Sequence, residues 1–77
     1  MRPEAIRDLI LAGLPGAEVV VNGEDGTHFD AEVVSARFVG QATLARHRLV
    51  YATLGALMGN EIHALALRTL TPDEKRG

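Results

Sequence analysis

The spacing of apolar residues in the first half of the chain predicts one helix followed by a β-hairpin. After Pro3, a residue type favoured at the first helical position, apolar residues recur at helical spacing until the proline-glycine pair at 15–16. The valine-rich segment 17–22 and the alternating segment 27–35 flank a glycine-containing turn sequence at 22–26. We therefore expect two antiparallel strands joined as a hairpin.

The second half predicts a longer helix, a third strand and a short final helix. Residues at intervals of three and four form one helical stripe: Leu44, His47, Val50, Tyr51, Leu54, Leu57 and Met58. We expect a helix of about four turns, bent or split near Gly55. The segment 61–70 predicts a strand that is apolar on both faces and therefore well covered. The sequence Thr71-Pro72-Asp73-Glu74 has the form of a capping box, which predicts a final helix.

These elements occur in the order α-β-β-α-β(-α), within a single domain over residues 1–77. Elements in this order are expected to pack as an α+β fold, a three-stranded mixed sheet with its helices on one face. A helix connects the second strand to the third. A right-handed crossover of this kind makes two neighbouring strands parallel.

Composition favours a folded protein, and the lack of a membrane span or signal-peptide pattern makes the cytoplasm the expected location. The chain has 77 residues, of which 47% are hydrophobic and 23% charged. No apolar run approaches the roughly 20 residues that span a bilayer, and the start lacks the pattern of a signal peptide, so we expect no membrane association. The net charge of −2 does not favour nucleic acid as a partner.

Three arginines form the one basic concentration of the chain: Arg37, Arg46 and Arg48. They suit a solvated helix face, although contact with phosphate or with a partner protein remains open. Two GxxG sequences, at 13–16 and 23–26, are poor matches to the phosphate-clamping loop of KH domains. The first contains proline and precedes a strand, and the second contains two carboxylates.

The histidines are the residues best suited to a metal. His63 is the only ionisable residue in the segment 62–67, so its ring is either satisfied by the backbone or used in function. We expect that it is used. His28 directly follows the hairpin turn, and two convergent imidazoles would bind a transition metal in a pH-dependent manner. His47 lies between two arginines and is not expected to be a ligand.

The remaining chemistry is sparse. The chain has no cysteine, so a soft metal or an iron–sulfur cluster would need ligands from a partner. Ser35 is the only serine, and the carboxylates around the turn, Glu24, Asp25 and Asp30, show no paired arrangement. We therefore expect a protein that is not an enzyme.

Four segments together resemble the BolA-like family across almost the whole chain. They are Gly26-Thr27-His28-Phe29, Arg37-Phe38-Val39-Gly40, the helical segment 46–54 (RHRLVYATL) and the segment 62–71 (IHALALRTLT). The short length and the compact hairpin look more like the IbaG (YrbA) branch than like BolA itself. The resemblance implies a fold similar to the class II KH domain.

The resemblance also implies a function. Family members pair with monothiol glutaredoxins and share a [2Fe–2S] cluster, to which the glutaredoxin and glutathione contribute thiolates and the BolA-like protein contributes histidine. His63 corresponds to the histidine ligand of the family. His28 lies in the hairpin loop, where many members have a second ligand. The implied role is that of an adaptor in iron–sulfur cluster assembly or trafficking, or in the regulation of iron or acid stress. Alone, such a protein is expected to be a monomer or weak homodimer.

Two other functions stay open. The family includes DNA-binding transcriptional regulators, and Arg37, Arg46 and Arg48 would then contact phosphate, with binding that weakens steeply as salt is added. The third alternative is an interaction module that docks another protein through a sheet edge or a helix face without any metal.

Overall fold

Local sequence signals place the helices and strands close to their predicted positions. The computed structural model describes residues 1–77, and its element order is the predicted one. Its helices are α1 (Pro3–Gly13), α2 (Thr43–Leu54) and α3 (Pro72–Arg76), with 3-10 turns at Ala36–Phe38 and Gly55–Leu57, and its strands are β1 (Glu18–Asn22), β2 (His28–Val34) and β3 (Ala64–Leu70).

The three strands form one mixed sheet in the order β1-β2-β3. β1 and β2 are antiparallel, as expected for a hairpin, and Val20 pairs with Glu32. β2 and β3 are parallel neighbours joined through α2, and His28 pairs with Ala64. The predicted α+β fold with a three-stranded mixed sheet is therefore confirmed.

The core lies between the sheet and the helices α1 and α2. Side chains alternate across a strand, so every second residue points to the helices. The core cluster contains 11 buried residues: Ile6, Ile10, Leu14, Phe29, Ala31, Val33, Phe38, Val50, Leu54, Ile62 and Leu65. α1 and α2 approach closely at Gly13, where the Cβ of any larger residue would lie 2.5 Å from Cγ2 of Thr53.

The prediction for the third strand was wrong in two respects. β3 begins at Ala64 rather than at residue 61, because residues 59–62 form a turn in which the N–H of Gly59 donates to the carbonyl of Ile62 at 2.8 Å. The strand is also not covered on both faces. Ala64, Ala66 and Arg68 are exposed, since α1 and α2 pack on the opposite face of the sheet.

The ends of the later helices agree with the sequence signals. α2 has 12 residues, and Gly55 directly after it has a φ of 54°, which breaks the helix as predicted. The capping box of α3 is present: the N–H of Glu74 donates to the Thr71 hydroxyl at 3.1 Å, and the N–H of Thr71 donates to the Glu74 carboxylate at 2.7 Å. No helix in the chain has the length and hydropathy needed to cross a membrane.

α2 also covers the free edge of β3. The Tyr51 hydroxyl donates to the carbonyl of Leu65 at 3.1 Å, and the Arg46 guanidinium donates to the carbonyl of Thr69 at 3.2 Å. Unpaired backbone groups on an edge strand invite pairing with another chain. These two side chains therefore block part of that edge, and they hold α2 against the strand that follows His63.

Candidate metal-ligand site

The parallel pairing of β2 and β3 brings His28 and His63 together. Their ring centroids are 6.0 Å apart, and the ring planes are inclined at 56°. The carbonyl of Thr27 accepts hydrogen bonds from the N–H groups of His63, at 2.9 Å, and Ala64, at 3.3 Å. Backbone hydrogen bonds thus set the position of one histidine relative to the other, and we call these two residues the histidine pair.

Both rings of the histidine pair are open to solvent. The side chain of His28 is 62% exposed. His63 is exposed as well, and its ring makes no hydrogen bond within the chain. It lies in a bend directly before β3, not within the strand. The His63 ring is therefore not hydrogen-bonded to the backbone, which was the alternative to a functional role.

Asp25 organises the turn that leads into β2. Its Oδ1 accepts the N–H groups of Thr27, at 2.9 Å, and His28, at 2.8 Å, and its Oδ2 lies 2.8 Å from Nδ1 of His28. The backbone N–H of Thr27, followed by the backbone and ring of His28, holds the pKa of the Asp25 carboxyl well below its usual range. Asp25 is therefore a carboxylate beside the His28 ring at any physiological pH.

The role of Asp25 was missed in the sequence, where it was counted among carboxylates without a partner. A signal was present, because an aspartate in a turn commonly accepts the backbone N–H two residues later. The residue two positions after Asp25 is Thr27, and the next is His28. A carboxylate that folds back on its own turn reaches a histidine at this spacing.

The donor set of the histidine pair is suited to half of a metal site. The chain contains no group of three or more histidine, cysteine, aspartate or glutamate side chains that could hold a metal ion. Two exposed imidazoles without a third ligand can serve a centre that another molecule completes. In Rieske-type [2Fe–2S] centres two histidines replace two cysteines on one iron, so the residues present fit the histidine side of such a cluster.

The three arginines of the basic concentration have different surroundings. The Arg46 side chain is only 13% exposed. It donates to both carboxylate oxygens of Glu74, at 2.6 and 3.3 Å, and to the carbonyls of Gln41 and Thr69. Arg37 and Arg48 are exposed and have no ion pair within the chain. Arg46 therefore ties α2 to β3 and α3, and the cations open to a phosphate are the other two.

The ion pair at Arg46 has a strong effect on its partner. The Arg46 guanidinium, together with the backbone N–H of Thr71, lowers the pKa of Glu74 to about 2. α3 is also held from the other side, because the Lys75 ammonium donates to the Glu32 carboxylate at 2.7 Å. These contacts fix the last helix to the end of the sheet.

The other motifs noted in the sequence lie apart from the histidine pair or have ordinary roles. The ring of His47 contacts Tyr51 edge-on, with 6.4 Å between the centroids. The GxxG sequence at 13–16 ends α1, and the one at 23–26 forms the hairpin turn, so neither connects two helices. This arrangement is unlike the KH loop, which clamps a nucleic-acid backbone.

Comparison with known proteins identifies the family. The family model described as "BolA-like protein" matches residues 14–74. The chain belongs to the BolA-like family. A solved BolA protein homologue from Coxiella burnetii is 45% identical to this BolA-like chain, covers 100% of it and 99% of its own length, and superposes with a TM-score of 0.90.

Two curated relatives share a smaller part of their length with this BolA-like chain. Human BolA-like protein 1 is 46% identical over 61 residues, which are 79% of this chain and 44% of the human protein. The DNA-binding transcriptional regulator BolA of Escherichia coli is 45% identical over 51 residues, which are 66% of this chain and 49% of the regulator. The chain thus spans less than half of the length of these relatives.

Proposed function

We propose that this BolA-like protein binds a monothiol glutaredoxin and contributes His63 and His28 as ligands to a [2Fe–2S] cluster shared between the two proteins. The observation that carries the proposal is the histidine pair itself, two exposed imidazoles with 6.0 Å between their ring centroids. The role that follows is that of an adaptor in iron–sulfur cluster assembly or trafficking, or in the regulation of iron or acid stress.

The composition of the donor set supports a shared site. The chain has no cysteine, so the thiolates of the cluster come from the glutaredoxin and from glutathione. Replacing thiolate by neutral imidazole makes a cluster less negatively charged and raises its reduction potential. The two histidines therefore give the shared cluster properties that differ from those of a cluster held by thiolates alone.

An incomplete site also explains why the protein would act as an adaptor. Ligands spread over two proteins hold a cluster firmly only in the complex, because metal binding and complex formation are thermodynamically linked. Separation of the partners then leaves the cluster without part of its ligand shell. This coupling suits a protein that passes on a cluster or senses its presence.

The experiment compares three single variants in the reconstituted complex. The apoprotein is mixed with a monothiol glutaredoxin, iron, sulfide and glutathione, and the visible absorption and circular dichroism spectra are recorded. His63→Ala and His28→Ala should change the spectrum and weaken cluster retention by about tenfold or more, since even residues that only support ligands contribute that much. His47→Ala is the matched control and should leave the spectrum unchanged, because His47 packs on Tyr51 instead.

Two outcomes would contradict the proposal. A His63→Ala complex with the wild-type spectrum would show that His63 is no ligand. A complex that forms equally well without iron and sulfide, and is unaffected by either substitution, would favour a docking module that uses no metal.

A second function, DNA-binding transcriptional regulation, has two observations in its favour. Arg37 and Arg48 are exposed and have no ion pair within the chain, and the related Escherichia coli protein is a DNA-binding transcriptional regulator. The net charge of −2 and the engagement of Arg46 by Glu74 place this function second.

The proposal includes three further expectations. The protein acts in the cytoplasm, and alone it is a monomer or weak homodimer. The compact turn at residues 23–27 between β1 and β2 supports membership of the IbaG (YrbA) branch of the family.

A further inference from the structure

We infer that Asp25 is the positioning residue for both histidines of the pair. It holds a proton on Nδ1 of His28, which leaves Nε2 as the metal-binding nitrogen, and through Thr27 it keeps the backbone of His63 alongside. This inference rests on the proposed function for the statement that the two histidines bind a metal. The tautomer and the geometry that it assigns are properties of the protein alone.

The first part follows from the contact between Asp25 and His28. Oδ2 of Asp25 lies 2.8 Å from Nδ1 of His28, and a carboxylate can only accept at that distance. The neutral ring must therefore carry its proton on Nδ1, and Nε2 has the free electron pair. A carboxylate that fixes the tautomer of a ligating histidine also raises the basicity of the ligand nitrogen.

The second part follows from Thr27, which links the turn to the residue before β3. The N–H of Thr27 donates to Oδ1 of Asp25 at 2.9 Å, and the Thr27 hydroxyl lies 3.3 Å from the same oxygen. The carbonyl of Thr27 accepts the N–H of His63 at 2.9 Å. The peptide unit that contains this carbonyl also contains the N–H of His28, which donates to Oδ1 of Asp25 at 2.8 Å. One carboxylate therefore anchors the peptide unit that accepts the main-chain N–H of His63.

The substitution Asp25→Asn separates the tautomer from the shape of the turn. The N–H groups of Thr27 and His28 both point at Oδ1, so the amide oxygen of asparagine must occupy that position. The amide nitrogen is then left facing Nδ1 of His28, where it donates a hydrogen bond. The substitution should move the ring proton from Nδ1 to Nε2 and so block the nitrogen that binds metal.

The test measures the tautomer of His28 in the apoprotein by ¹⁵N NMR of the imidazole, above the pH at which the ring is protonated. The wild-type ring should show a protonated Nδ1, and Asp25→Asn should show a protonated Nε2. Glu24→Gln is the control, because it removes the same negative charge from the same turn. Glu24 is exposed and makes no hydrogen bond or ion pair within the chain. The control should keep the wild-type tautomer.

A second measurement links the tautomer to ligation. In the complex with glutaredoxin, Asp25→Asn should retain the cluster about tenfold less well than Glu24→Gln, a loss typical of a residue that supports a metal ligand. An unchanged His28 tautomer in Asp25→Asn would overturn the inference, as would cluster retention equal to that of Glu24→Gln. If the wild-type complex forms no cluster, the proposed function fails, while the tautomer result still decides the role of Asp25 in the apoprotein.

Discussion

At the scale of single residues, Gly23 is the position that most tightly limits the turn before His28. A Cβ at this position would lie 2.5 Å from Cδ1 of Phe29 and 2.8 Å from the carbonyl oxygen of His28. Phe29 is a core residue with only 5% exposure, and the carbonyl belongs to the first residue of β2. The backbone position of His28 therefore depends on how closely Gly23 packs against the core residue Phe29.

We expect Gly23→Ala to lower the free energy of unfolding by about 1–3 kcal/mol, because the methyl group overpacks a site with a core ring and main chain on either side. Urea unfolding measures the loss, and the NMR signals of His28 should shift in the folded variant. The control is Asn22→Ala at the exposed neighbouring position, which should cost less than about 0.5 kcal/mol. A Gly23→Ala protein as stable as the wild type would show that the turn adapts freely.

At the scale of elements, α3 is attached to the rest of the fold mainly through polar contacts. None of its residues is buried, and Glu74 joins it to Arg46 while also completing the capping box. The pKa of Glu74 in the folded protein is about 2, against an ordinary value of 4.5. A carboxyl group with a lowered pKa stabilises the fold above its ordinary pKa, and this contribution is lost as the pH falls towards the folded value.

Glu74→Gln should therefore be less stable than the wild type at neutral pH, with a difference that shrinks between about pH 4.5 and pH 2. Urea unfolding midpoints measured across this range test the prediction. The pKa values of Asp25 and Glu32 are lowered too, so the variant keeps a shallower acid dependence instead of losing it. Glu61→Gln, at an exposed residue, is the control and should follow the wild-type curve. A gap between Glu74→Gln and wild type that is constant with pH would contradict the argument.

At the scale of the whole molecule, the distribution of charge provides a test between the two proposed functions. The net charge of −2 leaves no general attraction to DNA, so binding would depend on a local patch. Arg46 is unsuited to test that patch, because its removal would also release Glu74 and uncover the carbonyl of Thr69. Arg37 and Arg48 have no such partners and test it cleanly.

If the protein binds DNA, the double variant Arg37→Ala and Arg48→Ala should bind more weakly, and the slope of log affinity against log salt should become shallower by about one unit for each phosphate that is no longer neutralised. Fluorescence anisotropy at several salt concentrations measures both effects. Arg68→Ala is the control, since that side chain is 74% exposed on the open face of the sheet and pairs with Glu32. Equal effects from the control and the double variant would rule out a specific basic patch.

How far the sequence predicted the structure depended on the range of the interactions involved. The break at Gly55 and the capping box at Thr71 and Glu74 were predicted correctly, because such signals act within a turn or two of helix. The cover of β3 was predicted wrongly. The element order had correctly placed the helices on one face of the sheet, but the apolar segment suggested cover on both faces. Ala64 and Ala66 are small enough to remain exposed on the open face.

The candidate site also combines features that local sequence predicts with features that depend on long-range packing. His63 and His28 were each selected from their local sequence, whereas the 6.0 Å between their rings follows from the parallel register of β2 and β3. Asp25 was passed over because its partners depend on how the turn closes.

The amino-acid sequence by itself determined the order of helices and strands, the family and the two histidines, because periodicity, caps and ligand chemistry are written in neighbouring residues. Only the tertiary structure decided that Thr27 joins the two histidines and that Arg46 is engaged by Glu74. Each of these depends on strand register and helix packing, which bring together residues that lie far apart along the chain.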